Sequence, residues 1–97
     1  MLMKLVMIYN SNCVSCLPYI QDVQKCVSEI SLDFECIDIN IDIFNSIHHI
    51  VNCRISVDKH INQLPLIIVY DSSGAKHAIV GIVSYEELTS KLKGMIL

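Results

Sequence analysis

From Leu2 to Tyr9 the chain is apolar except for Lys4, a pattern that predicts a buried strand over 2–9. A polar turn, Asn10-Ser11-Asn12, separates it from Cys13-Val14-Ser15-Cys16. Beyond that motif the period lengthens. Leu17, Ile20, Val23, Val27 and Ile30 fall on one face of a helix running to about Ile30. Residues 34–43 return to strict alternation: Ile37, Ile39, Ile41 and Ile43 are spaced by Asp38, Asn40 and Asp42, as in a strand with one buried face. Ile47, Ile50, Val51 and Ile55 then predict a second helix over 45–57. Leu66–Tyr70 is a short apolar strand, and the turn Asp71-Ser72-Ser73-Gly74 folds it into a hairpin with 76–80. Ser84 and Glu87 form a capping box for a last helix, with Lys91 and Lys93 favouring its far end and Gly94 placed to close it.

The order β-α-β-α-β-β-α describes an α/β fold. Its opening unit implies a right-handed parallel crossover, and the hairpin adds an antiparallel strand. The expected result is a mixed four-stranded sheet with helices on both faces. No repeat, linker or low-complexity segment interrupts the 97 residues, so they are expected to form a single domain, 1–97.

Composition narrows the function classes. At 53% hydrophobic and a net charge of -3, the chain carries too much apolar material and too little charge for disorder. Seven scattered lysines and arginines give no basic stripe, which argues against a strongly basic nucleic-acid module. Mean hydropathy is positive, yet no apolar run approaches the ~20 residues of a spanning helix, so no membrane partner is expected. The first apolar stretch ends without a small-residue cleavage pattern, and a cytoplasmic location is the expectation. Five cysteines, an odd number, argue against a disulfide framework. Cys26 and Cys36 are expected to pack in the core, with the active-site side as the alternative for Cys36.

The chemistry concentrates at Cys13 and Cys16. Two intervening residues let both sulfurs meet across one helical turn. The helix N-terminus supplies unpaired N–H groups and a partial positive charge that stabilise a thiolate. Cys13, nearest the end, is the expected nucleophile, and Cys16, one turn in, the resolving thiol. The pair is also half of a zinc site, but tetrahedral zinc needs four ligands and no second CxxC or HxxxH occurs. Two further signals weigh less. Asp38-Ile-Asn40-Ile-Asp42 has Ile43 and His49 where a calcium loop needs Gly and Glu. His49 and Cys53, one turn apart, are read as a surface coincidence. Pro18 is expected to remove one helix hydrogen bond and kink the first turns.

The strand–CVSC–helix opening, together with Ile61-Asn-Gln-Leu64-Pro65 and the later Val80-Gly81, resembles the thioredoxin superfamily over nearly the whole chain. The resemblance implies a thioredoxin-like fold and a dithiol–disulfide oxidoreductase with no bound cofactor. It implies a cis Pro65 beside the cysteines, with Leu64 and Pro65 docking substrate and Gly81 lining the same groove. It implies disulfide-containing protein substrates and a reductase or glutathione as electron donor, with the protein acting as a monomer. Asn12 stands where thioredoxins place an aromatic residue, and Met7 where they carry a buried acid. Val14-Ser15 is neither Gly-Pro nor the Pro-Tyr of glutaredoxins. It is closer to the dipeptides of glutaredoxin-like proteins that reduce ribonucleotide reductase. The alternative function is a binding module whose CxxC is non-catalytic or holds a metal.

Overall fold

The computed structural model describes residues 4–52, 64–70 and 76–96. Within them the elements are β1 (Lys4–Tyr9), α1 (Cys16–Ile30), β2 (Asp33–Asp38), α2 (Ile43–Asn52), β3 (Leu66–Tyr70), β4 (Lys76–Val80) and α3 (Tyr85–Ile96). The sheet order is β2-β1-β3-β4. β1 runs parallel to β2, with Lys4 opposite Asp33 and Tyr9 opposite Asp38. It runs antiparallel to β3, and β3 antiparallel to β4. The mixed four-stranded sheet and the element order are those that the apolar pattern predicts. The first residues of the expected strand 2–9, the end of the expected helix 45–57, the turn 71–74 and Cys53 lie outside the described residues. No helix among the described residues is long and apolar enough to cross a membrane.

Alternation along the strands sorts the core into two layers. Leu5 and Met7 of β1, with Ile67 and Val69 of β3 and Ile79 of β4, face one side. There they meet Tyr19, Val23, Cys26 and Val27 of α1 and Leu88 and Leu92 of α3. Val6 and Ile8 turn the other way, with Leu66, Ile68 and Ile37, and Ile50 of α2 covers them. Two contacts fasten α1 to α3: Cys26 Sγ lies 3.0 Å from Thr89 Oγ1, and the Tyr85 hydroxyl donates to Glu29 at 2.8 Å.

The buried stripe of α1 is rotated from the expected one. Tyr19 and Cys26 are in it, and Leu17 is exposed, because the helix presents Cys16 and Tyr19 to the sheet in its first turn. Cys36 departs from the expected core position and is exposed, since β2 is an edge strand. Cys26 is buried as expected. Gly94 lies inside α3 rather than closing it. The N-cap expectation holds: the Glu87 N–H donates to Ser84 Oγ at 3.2 Å.

The largest correction is at the end of β2. The alternation predicts a strand to residue 43, but β2 stops at Asp38, and α2 starts at Ile43. Asp38 turns the chain: its carboxylate accepts the Asn40 N–H at 3.0 Å, and its carbonyl accepts those of Ile41 and Asp42. Asp42 then caps α2 by accepting the Asn45 N–H at 3.2 Å. Short polar side chains at every second position satisfy a turn and a cap as readily as one face of a strand. Ile39 remains buried, while Ile41 is 85% exposed. His49, whose spacing with Cys53 falls outside the described residues, sits half-buried in a polar group. Its Nδ1 lies 2.8 Å from the Tyr70 hydroxyl, its Nε2 lies 4.0 Å from Glu35, and burial lowers its pKa. Glu35 in turn pairs with Lys4 at 2.7 Å, which holds its carboxyl below the usual range.

Truncating the two neighbouring isoleucines separates the turn from the strand. Ile39→Ala is expected to cost about 2–5 kcal/mol and Ile41→Ala to stay within about 0.5 kcal/mol, read from urea midpoints at constant slope. Equal losses would restore the longer strand.

Candidate functional site

Every part of the site sits at one end of the sheet, because β1 ends there and β3 begins there. Ile8 pairs with Leu66, and Leu66 with Val80. The loop after Tyr9, the residues before Leu66 and the residues after Val80 therefore emerge together. They carry Cys13, Leu64 with Pro65, and Gly81.

The turn into the motif is built from its own amides. The Asn12 N–H donates to Asn10 Oδ1 at 2.9 Å, and the Cys13 N–H to the Asn10 carbonyl at 2.9 Å. The Cys16 N–H then donates to the Cys13 carbonyl at 3.1 Å, and α1 begins. Cys13 and Cys16 are joined as a disulfide with their Cα atoms 5.3 Å apart. Cys13 is half-buried and Cys16 is excluded from water. Ser15, at the N-cap, makes no side-chain cap bond, and the first turn holds no acid. Nothing in that turn offsets the positive end of the helix.

Pro18 conflicts with none of this, contrary to the expected kink. α1 starts at Cys16, so Pro18 is its third residue, where an N–H has no partner within the helix. Proline removes no bond there.

Pro65 is buried, Leu64 is half-buried against the α2-side core, and the peptide bond between them is cis. The Gly81 N–H donates to the Pro65 carbonyl at 2.9 Å, which ties the two loops together. Gly81 has φ +80°, a left-handed conformation in which a side chain is strained. Met7, at the position of the expected departure, is wholly buried among apolar neighbours and supplies no proton acceptor.

Asn40 is the residue that pattern reading passed over. Its side-chain amide donates to Asn10 Oδ1 at 2.8 Å and to Ser11 Oγ at 3.1 Å, bracing the loop before Cys13 from the β2–α2 turn. The Ile39 N–H adds a bond to the Tyr9 carbonyl at 2.9 Å. The only available signal was an asparagine opposite another amide-rich turn, and within the alternation it counted as a strand's polar face. Cys36 lies on β2 opposite Met7. Its surroundings partly desolvate it, and with the nearby Asp38 charge they push its thiol up. The same causes, with Cys36 added, raise Tyr9.

Among the solved structures similar to this one are two thioredoxins. Thioredoxin 1 from Thermosipho africanus superposes with a TM-score of 0.70 at 17% identity, covering 95% of this chain and 92% of that one. Chloroplastic thioredoxin z gives 0.67 at 16%, covering 97% and 78%. No protein-family model and no curated protein sequence matches the chain. The fold is thioredoxin-like.

The brace is measurable. In a double-mutant cycle of Asn10→Ala and Asn40→Ala, urea unfolding is expected to give a coupling of about 0.5–1 kcal/mol. Simple additivity would mean that the two loops are positioned independently.

Proposed function

We propose that the protein is a thiol–disulfide oxidoreductase that reduces protein disulfides, with Cys13 as nucleophile and Cys16 as resolving thiol. One observation carries the reading: the two cysteines form a disulfide in which Cys13 is reachable from solvent and Cys16 is not. The fold supports it.

The steps follow from that asymmetry. In the reduced protein the Cys13 thiolate, stabilised at the N-terminus of α1, attacks one sulfur of a substrate disulfide. An Sγ–S bond forms, the substrate S–S bond breaks, and the leaving sulfur departs as a thiolate. Cys16 then loses its proton, to that thiolate or to water, and attacks Cys13 Sγ. The substrate leaves as a dithiol, two electrons richer, and the protein is left as the Cys13–Cys16 disulfide. A reductase or glutathione returns the two electrons. With Met7 in place of an acid, no side chain at that position takes the Cys16 proton.

Leu64, Pro65 and Gly81 are the proposed docking residues. They share the end of the sheet with Cys13, and the bond between Gly81 and Pro65 ties their two loops together, which supports the reading. The proposed partners are disulfide-containing proteins, ribonucleotide reductase among them. The protein is proposed to act in the cytoplasm as a single-domain monomer without a bound cofactor.

Insulin reduction tests the reading. The wild type is expected to accelerate it in the presence of a dithiol, Cys13→Ser to abolish the acceleration, and Cys16→Ser to accumulate a mixed disulfide through Cys13. Stoichiometric zinc bound by Cys13 and Cys16, with no reductase activity, would instead establish a metal-holding module.

A further inference from the structure

The α2 side of the sheet carries a row of polar groups, with Lys4 and Tyr70 at the end opposite the cysteines. Lys4 of β1 pairs with Glu35 of β2 at 2.7 Å. The other carboxylate oxygen, Oε2, accepts from Asn45 Nδ2 at 3.1 Å and lies 4.0 Å from His49 Nε2. His49 Nδ1 closes the row on the Tyr70 hydroxyl of β3, at 2.8 Å. Asn45 and His49 stand one turn apart, so a single stripe ties α2 to β2 and β3 directly, and to β1 through Glu35. Apolar anchorage of the helix is thin by comparison. Ile50 is wholly buried and Ile47 half-buried, while Ile43, Phe44 and Val51 are exposed.

His49 is the member of the row whose charge changes near neutral pH. Its side chain is only 12% exposed. Nε2 faces the carboxylate, so the fitting tautomer holds its proton there and leaves Nδ1 to accept from the Tyr70 hydroxyl. A second proton falls on Nδ1, where that hydroxyl already donates. The hydroxyl must then turn, and a half-buried cation is left with a carboxylate already shared between Lys4 and Asn45. Burial is the main reason the His49 pKa is lowered. Glu35 opposes it, while Lys4 and the His48 ring, edge-on at 5.6 Å, add to it. Among the described residues these and Tyr70 are the titratable groups facing the ring. In the sheet, Asp33 is in register with Lys4 and Lys76 with Tyr70. Glu35 stays ionised while His49 titrates, because the Lys4 bond holds its carboxyl below the usual range.

The geometry points to a proton-operated latch: neutral His49 fastens α2 to the sheet, and its protonation loosens the helix together with the turn 38–42. That turn caps α2 at Asp42 and braces the loop before Cys13 through Asn40. The latch therefore connects acidity to the loop that carries Cys13, and it does not depend on the reductase reading. A released His49 binds the proton more readily than a docked one. Docking is thus at full strength above the ordinary histidine value of about 6.5 and weakens as the pH falls below it. For a single proton, the opening constant grows by no more than about tenfold per pH unit.

Native-state hydrogen exchange of the full chain, corrected for intrinsic rates, reads the opening of α2. From about pH 7.5 to about pH 5.5 the amides of Ile47, Ile50 and Val51 are expected to open several-fold more, ahead of Val6 and Ile68 in the strands. The Ile39 amide, bonded to the Tyr9 carbonyl, should follow them. His49→Gln should flatten the response, and His48→Gln, on the exposed side of the helix, should keep it. Charged groups outside the described residues are the same in wild type and variants, so the difference between them reads His49. An equal slope in wild type and His49→Gln would overturn the latch, as would α2 amides that exchange only in step with Val6 and Ile68. A response in α2 without one at Ile39 would overturn the link to the turn. Should His49→Gln not fold, the ring titration of His49 in the wild type decides. A midpoint below about 6.5 supports the latch, and one at or above it overturns it.

Discussion

Four consecutive residues of β1, Leu5 to Ile8, are wholly excluded from water, and the strand is hydrogen-bonded to a neighbour on each side. A strand buried on both faces needs a layer above and a layer below. The rest of the chain follows from that demand: α1 and α3 cover Leu5 and Met7, and α2 covers Val6 and Ile8. The strand also fixes where chemistry can occur. It cannot extend past Tyr9 into the polar turn, and the helix that must fold back over its face begins at Cys16. The sulfurs therefore meet at the strand's end, at a helix N-terminus. The antiparallel start of β3 brings Pro65 to the same place.

Much of this was legible in the sequence because the signals were redundant. β1, α1, β3 and α3 each had an apolar period, a punctuating turn or a cap that agreed with one another. Cys13 and Cys16 stood at a junction that both periods defined. What escaped notice depended on polar side chains whose partners are distant or ambiguous. Asp38, Asn40 and Asp42 keep a period of two, and only the structure shows the two aspartates accepting backbone N–H groups and the asparagine amide donating to the neighbouring loop instead of lining a strand. Asn40 finds its partners thirty and twenty-nine residues earlier in the chain. His49 bonds Tyr70 across the sheet face, twenty-one positions on. Leu17 and Cys36 were misplaced for a different reason. Apolar character alone does not tell which flank of a helix stripe, or which strand of a sheet, is left uncovered.

The thioredoxin-like fold and the particulars of the site lie on different levels. The fold places two cysteines at a helix end, and many arrangements of neighbours are compatible with that. Here the neighbours are Met7 within the core, an amide brace before Cys13, and exposed Val14 directly after it. Burial around Met7 stabilises the sheet and places no acid at that position. On the proposed reading, reactivity depends on the difference in access between the two sulfurs and on the field of α1.

That difference is the central claim, and brief alkylation of the reduced protein at pH 7 measures it most directly. Peptide mass analysis should find Cys13 modified first, because the helix end favours its thiolate. Cys16 should be protected by burial, and Cys36 slowed by its raised pKa. Modification of Cys16 before Cys13, or of Cys36 ahead of both, would contradict the assignment of nucleophile and resolving thiol.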